Sequence, residues 1–401
     1  MSAPERVSFP MSRRGCPFAP PEEYTRYLAQ DRAQQLELGS GQRVWALTRN
    51  ADVRAMLNDP RFSADREAPG YPDLFGIGPQ PPGRLKPSMF SMDAPAHTVA
   101  RRYVQGEFTM RKILELEPRI QQIVDEHVEA VVTGPRPADL VEALALPVPS
   151  LVICELLGVP YAEHEFFQQR STTMTSRGPT PMERLTAMNE LQDYLDGLVL
   201  AAEKDPGDDL LGRQVRKRRA EGAYDHDDLV SLAFLLLIAG HETTANATSL
   251  GIVALLENPD QLAAIRADPS LTPDAVEEVV RYFNVGDLVT TRVAAQDVEI
   301  AGVTIRAGEG VIGLGQAANF DPDAFPDPGR LDIRRVTRGH VSFSYGPHQC
   351  LGANLARLEM RIVFDTLFAR LPGLRLAVPF DELPFKYESA VFGLHELPVT
   401  W

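Results

Sequence analysis

Apolar positions recur at helical spacing through most of the chain, and strict alternation is confined to a stretch near the start and a later block. Arg43 to Thr48 alternates enough to predict a strand, and Ala51 to Asn58 predicts a short helix ended by Asp59-Pro60. Gly70 to Pro87 is dense in glycine and proline and predicts a loop-rich region. From His97 onward the pattern is mostly helical, with breaks near Gly134-Pro135, Gly158-Val159-Pro160 and Arg177 to Pro181. Strands return at Val298 to Gly313, where Gly302 and Gly308 punctuate alternating apolar residues. Asp227 to Asn258 contains no proline and predicts one helix, about 45 Å long at roughly 1.5 Å per residue. It is apolar on nearly every face between Leu229 and Ile238, so it belongs in a core. The fold class expected is mainly α with a small β-rich lobe. No linker divides residues 1–401, which predicts a single domain.

Charge narrows the partners. Forty basic against fifty-five acidic side chains give a net charge of −15, which argues against nucleic acid as the main partner. Cys16, Cys154 and Cys350 are odd in number and far apart, so they form no disulfide framework or zinc spacing, and a reducing cytoplasm fits best. Met1 to Pro21 holds no apolar run, so neither a signal peptide nor a membrane anchor is expected. The apolar run Leu229 to Ala239 is too short to span a bilayer and predicts a buried helix.

Four constellations carry candidate chemistry. In Phe343-Ser-Tyr-Gly346-Pro-His348-Gln-Cys350-Leu-Gly352, a cysteine follows a glycine-bearing loop and precedes a helical segment, roughly Ala353 to Leu371. A helix amino end favours the anionic sulfur over the thiol, and so a metal-ligating thiolate. Cys154, inside an apolar run, reads instead as a small core residue, and Cys16 has no assigned role. The long helix carries Ala239-Gly240-His241-Glu242-Thr243-Thr244 at its centre, where a core helix prefers leucine. Ala239 and Gly240 let the backbone approach a flat ligand, while Thr243 is placed to bond back to the Ala239 carbonyl and open the helix locally. A polar-faced helix kink explains the same residues equally well. Thr272-Pro273-Asp274 reads as a helix start, and Glu278 and Arg281 then share a face three residues apart. Such a pair is ordinarily a solvated salt bridge of under about 1 kcal/mol. His97 and Arg101, at i and i+4, place two cationic-capable groups on one helical face.

Taken in order, these segments resemble the cytochrome P450 family, soluble bacterial and actinobacterial members in particular. The resemblance covers roughly residues 92 to 360 and implies a P450 fold around a buried haem, with Cys350 as the iron's axial ligand. It makes Phe343 and Gly352 defining positions of the haem-binding loop, and Ala239, Gly240, Glu242 and Thr243 the oxygen-activation motif, with Glu242 as the acid and Thr243 as the alcohol of proton delivery. His97, Arg101, Arg292 and His348 correspond to the contacts of the haem propionates. Glu278, Arg281 and Arg330 correspond to a buried structural network. Ser344, Tyr345 and Pro347 depart from the loop of many bacterial relatives without touching its defining positions.

The implied cofactor is haem b, iron protoporphyrin IX, and the implied reaction inserts one atom of O2 into a lipophilic small molecule by hydroxylation or epoxidation. Two alternatives share the haem-thiolate group, nitric-oxide reduction and peroxide-driven oxidation; a non-enzymatic haem sensor or electron carrier is of another class. Electrons are expected from a separate ferredoxin and ferredoxin reductase using NAD(P)H, with Arg102, Lys112, Arg357 and Arg361 as candidate docking cations. By the same resemblance residues 70 to 90, 166 to 190, Phe234 to Ile238, Val285 to Val289 and Ala390 to Leu394 line the substrate pocket. Phe75, Phe90, Met174, Leu288 and Phe392 stand there beside Thr172, Thr173, Asn284 and Asp287, a mixture suited to a polyketide or macrolide of secondary metabolism.

Overall fold

The computed structural model describes residues 5–7, 11, 13, 16–30, 32–74, 85–175, 179–286, 290–387, 389 and 391–401, apart from the side chains of residues 161, 164, 168, 172 and 175. Phe75, the Thr172 side chain, Asp287, Leu288, Val289, Ala390 and much of the expected loop at 70 to 87 lie outside them. Contacts group the chain into two compact units. The first comprises Met1–Arg84, Met89–Val99 and Glu277–Cys350, the second Leu85–Ser88, Ala100–Val276 and Leu351–Trp401.

A six-stranded sheet organises the first unit. Its spatial order is Glu5–Arg6, Gln34–Glu37, Arg43–Leu47, Gly310–Gly313, Thr291–Ala294 and Phe62–Ser63. The strand predicted near Arg43 runs beside Gly310–Gly313 in parallel, Val44 opposite Gly310, and Thr291–Ala294 pairs antiparallel on the other side, Arg292 opposite Val311. Val298–Ile300 and Val303–Ile305 form the expected second β element, a hairpin turned at Ala301-Gly302. Val44, Ala46, Ile312 and Leu314 pack into one apolar cluster, and Leu47, Val311, Ala294 and Met56 into another. Alternate residues of a strand point to opposite faces, so the sheet has a core on each side.

The second unit is helical around His226–Glu257, 32 residues and about 48 Å long. The Asp225 side chain accepts the Asp228 N–H at 3.0 Å, and Asp227 and Asp228 add negative charge to the first turn. By length and composition this helix could cross a membrane, yet 61% of its most apolar stretch is buried, as a core helix requires. Pro147–Leu157 packs along it and is buried on nearly every side. Gly158 ends that second helix in a left-handed conformation, φ 77°, and a Cβ there would also meet the Asp209 carboxylate at 2.7–2.8 Å. Cys154 lies in the Pro147–Leu157 helix, and burial pushes its thiol up to about 12, which keeps it an inert core residue.

The helix after the cysteine loop runs Ala353–Arg370 and carries an unexpected acid. Glu359 is buried, its Oε2 has no hydrogen-bond partner among the described residues, and burial pushes its carboxyl up to about 8. At neutral pH the folded chain therefore holds a proton that the unfolded chain releases. The associated stability is fully present below about 4.5, where the unfolded group titrates, and is lost as pH rises through about 8. Urea midpoints should fall between pH 6 and 9, and Glu359→Gln should flatten that fall; parallel pH dependences in the two proteins would exclude Glu359 as its source.

Candidate active site

The cysteine loop is shaped by the first unit. Ser344 and Gly346 both take left-handed backbone, φ 59° and 70°, and Gly346–His348 closes a single 3-10 turn. A Cβ on Gly346 would lie 2.9 Å from the Leu57 carbonyl and 3.0 Å from Asn58, so only glycine fits. Tyr345, one of the departures from the family loop, lies beneath the Arg54 guanidinium at 4.4 Å. The Cys350 N–H donates to the Phe343 carbonyl at 2.8 Å, which folds the segment back on itself and leaves Cys350 exposed. In sequence the helix begins three residues later, after Gly352, whose missing side chain faces open space.

A buried ionic network holds that loop from below. Arg281 makes a two-pronged contact to Glu278 at 2.7 and 2.8 Å, and both side chains are fully buried. Arg281 also donates to the carbonyls of Asn319 at 2.8 Å and Pro328 at 3.1 Å. Asn319 then accepts the Val341 N–H at 2.8 Å and donates to the Ser342 hydroxyl at 2.8 Å, two and one residues before Phe343. The third cation is Arg335, not Arg330. Arg335 reaches Glu278 at 3.1 Å and donates to the carbonyls of Pro326, Asp327 and Arg330, around which the loop curls. Asp327 turns with φ 49°, and the Arg330 side chain is left exposed.

Three of the cationic-capable groups, His97, Arg292 and His348, belong to the first unit, and Arg101 to the second. The rings of His97 and His348 lie 4.1 Å apart, tilted by 32°, although 251 positions separate them in sequence. Arg292 is buried on its strand and, among the described residues, donates only to the Thr291 carbonyl, at 2.7 Å. Most of its five donors therefore remain for another acceptor. Burial pulls its guanidinium below the ordinary arginine value, partly offset by Tyr71 and Asp93. The His97 N–H donates to the Asp93 carbonyl at 2.8 Å, so Arg292 and His97 share this neighbourhood. Arg101 follows His97 by one turn in the helix Ala96–Val104 and is half-buried.

The second unit supplies the helix centre. The Thr243 hydroxyl donates to the Ala239 carbonyl at 2.6 Å, the back-bond expected from the sequence. Ala239 is exposed, whereas a Cβ on Gly240 would meet Ile153 at 3.3 Å. The small residue at 240 thus admits the Pro147–Leu157 helix, a packing role that the sequence pattern alone did not separate from ligand approach. Glu242 is buried and faces Lys386 at 3.5 Å. Lys386 escapes a motif search because it stands alone between Phe385 and Tyr387, 144 positions from its partner.

A thiol at a tight glycine turn, a buried arginine with donors to spare and two adjacent imidazoles fit an iron-bearing macrocycle with carboxylate arms. Comparison with known proteins agrees. The family model described as Cytochrome P450 matches residues 186–401. Pentalenic acid synthase of Streptomyces avermitilis is 46% identical over the whole of this chain and 98% of its own length. The crystal structure of MoxA from Nonomuraea recticatena, a CYP105 protein, has a TM-score of 0.89 at 52% identity, covering 98% of each chain. MycCI of Micromonospora griseorubida, titled mycinamicin VIII C21 methyl hydroxylase and solved with mycinamicin VIII bound, has a TM-score of 0.90 at 40% identity over 99% of this chain and all of its own. The chain belongs to the cytochrome P450 family, monooxygenases with a haem-thiolate cofactor. Its relatives at this level are CYP105-type proteins of actinobacteria.

Proposed function

We propose that this monooxygenase hydroxylates or epoxidises a large, partly oxygenated lipophile of the polyketide or macrolide class in the cytoplasm of its host. Support comes from the names its relatives carry and from the mixed residues expected near substrate. Of those, Phe392 is buried and stacks on Phe385 at 5.9 Å, and Met174 and Thr173 are half-buried. The cofactor is read as haem b. Cys350 ligates its iron through the thiolate, and His97, Arg101, Arg292 and His348 hold its carboxylates. When bound, the haem supplies activated oxygen, while the protein supplies position and protons.

The observation that carries this reading is the Thr243–Ala239 back-bond beside a buried Glu242. It fixes the Thr243 hydroxyl on the Ala239 carbonyl within the continuous helix, beside the acid from which a proton passes to Thr243 and onward while solvent replenishes it. General acid–base help is worth roughly 10²–10⁴-fold. Thr243→Ala should therefore go on consuming NADH while product per NADH falls by about 100-fold; fully coupled turnover in the variant would remove Thr243 from the relay. Electrons are read as coming from a ferredoxin and its reductase. Arg102, Lys112, Arg357 and Arg361 are read as the docking cations; on the second unit Lys112 pairs with Glu115 at 2.7 Å and Arg361 pairs with Glu117.

A further inference from the structure

Glu242 shares the centre of the second unit with a side chain from far along the chain. Residues 385–387 and 391–394 form two facing arms. Phe385 bridges Leu394, and the Lys386 N–H donates to the Gly393 carbonyl at 2.8 Å. From this frame the Lys386 ammonium reaches Asn246 Oδ1 at 3.2 Å and Glu242 Oε1 at 3.5 Å, with the Lys386 and Glu242 side chains 11% and 5% exposed. Asn246, one helical turn beyond Glu242, donates to the Val391 carbonyl at 3.4 Å. A Cβ on Gly393 would fall 2.1 Å from Asn246 Oδ1, so the second arm lies directly against that amide.

The two contacts of the ammonium differ in kind. Asn246 is fixed by both arms and acts as its anchor at 3.2 Å, and the ammonium reaches the Glu242 carboxylate at the longer distance of 3.5 Å. The neighbouring His241 is buried, and its ring is held down to about 4 by burial and by the Lys386 charge. It therefore stays neutral and does not displace Lys386 as the partner of Glu242. A buried ammonium needs such partners, because leaving it alone in the interior is strongly unfavourable.

We propose that Lys386 is a positioning residue for proton delivery: anchored on Asn246, it holds the Glu242 carboxylate in a resting orientation and makes its release depend on the arms at 385–387 and 391–394. This rests on the reading of Glu242 as the relay acid. Lys386 keeps its own protons throughout; the proton that Glu242 passes on comes from solvent, and Glu242 returns to Lys386 once it is again a carboxylate. Because Phe392 lies on one arm, a molecule that shifts this arm also shifts the restraint. The arms thereby couple substrate occupancy to proton supply.

The test compares Lys386→Met, Lys386→Arg, Asn246→Ala, Glu242→Gln and the Lys386→Met/Glu242→Gln double variant as holoenzymes. Its readouts are product per NADH, the solvent deuterium isotope effect, and amide exchange at residues 391–394. Glu242→Gln should lower product formation at least about tenfold, as loss of a general acid requires. Lys386→Met should change the isotope effect and quicken exchange about tenfold at 391–394, with Lys386→Arg restoring both. Asn246→Ala, which removes the anchor but leaves the ammonium, should repeat the Lys386→Met signature and stands in for it if that variant does not fold. The double variant should be no worse than Glu242→Gln. Wild-type behaviour of Glu242→Gln would overturn the relay reading and this proposal with it. An impaired Glu242→Gln beside a Lys386→Met with unchanged isotope effect and exchange would overturn the proposal alone, as would multiplicative losses in the double variant.

Discussion

Cys350→Ser should abolish the thiolate-type Soret band of the reduced CO complex and bring product formation down to background. A serine hydroxyl remains protonated at neutral pH, so the electron donation by which a thiolate promotes O–O cleavage is lost. The fold should survive the exchange. Cys350 is exposed, and the bond that turns its loop comes from its backbone N–H to the Phe343 carbonyl, which serine retains. The wedge of Gly346 against Leu57 and Asn58 is also untouched. A substitution at such a position lies within about 0.5 kcal/mol of neutral, so far-UV circular dichroism and the urea midpoint of the cofactor-free protein should hardly move. Cys154→Ser is the control, since that buried thiol is ruled out as a ligand by its packing, and its CO spectrum should keep the thiolate band. A thiolate band surviving in Cys350→Ser, or vanishing in Cys154→Ser, would reverse the two assignments.

What the sequence reveals follows from how locally each feature is encoded. The long helix, expected at Asp227 to Asn258 and found at His226–Glu257, is announced by an uninterrupted apolar pattern and acidic residues at its start. The back-bond of Thr243 to Ala239 is legible because it closes within four residues. Arg335 is not legible. Five positions after Arg330, it is brought to Glu278 by a loop whose turn at Asp327 no periodicity describes. Lys386 is hidden for the same reason, since an isolated lysine in an apolar setting has no pattern until Asn246 and Glu242 are seen beside it. Thr272 begins its helix as expected, and its hydroxyl also donates to Asp365 at 2.5 Å, a partner 93 positions away that no local pattern announces. Short-range chemistry is written in the order of residues; the third member of a network is written in the fold.

That distinction gives the second large prediction its force. Glu278→Gln preserves shape and packing volume but removes the only carboxylate shown contacting both Arg281 and Arg335. Two guanidinium groups then face one neutral amide in a place where Arg281 and residue 278 are fully buried. Exposed pairs at this spacing are worth under about 1 kcal/mol, whereas breaking a buried pair by removing one partner costs about 3–5 kcal/mol. Against a total stability of roughly 5–15 kcal/mol, the variant should lose about a fifth of its stability or more, read as a fall in the urea midpoint. The loss should also reach the cysteine loop, because Arg281 holds the Asn319 carbonyl and Asn319 holds Val341 and Ser342. The fraction of folded protein that retains haem should therefore drop, while Glu277→Gln, which alters the more exposed contact to His340, should cost far less. A change under about 1 kcal/mol in Glu278→Gln would mean that water reaches the pair and that the loop stands without it.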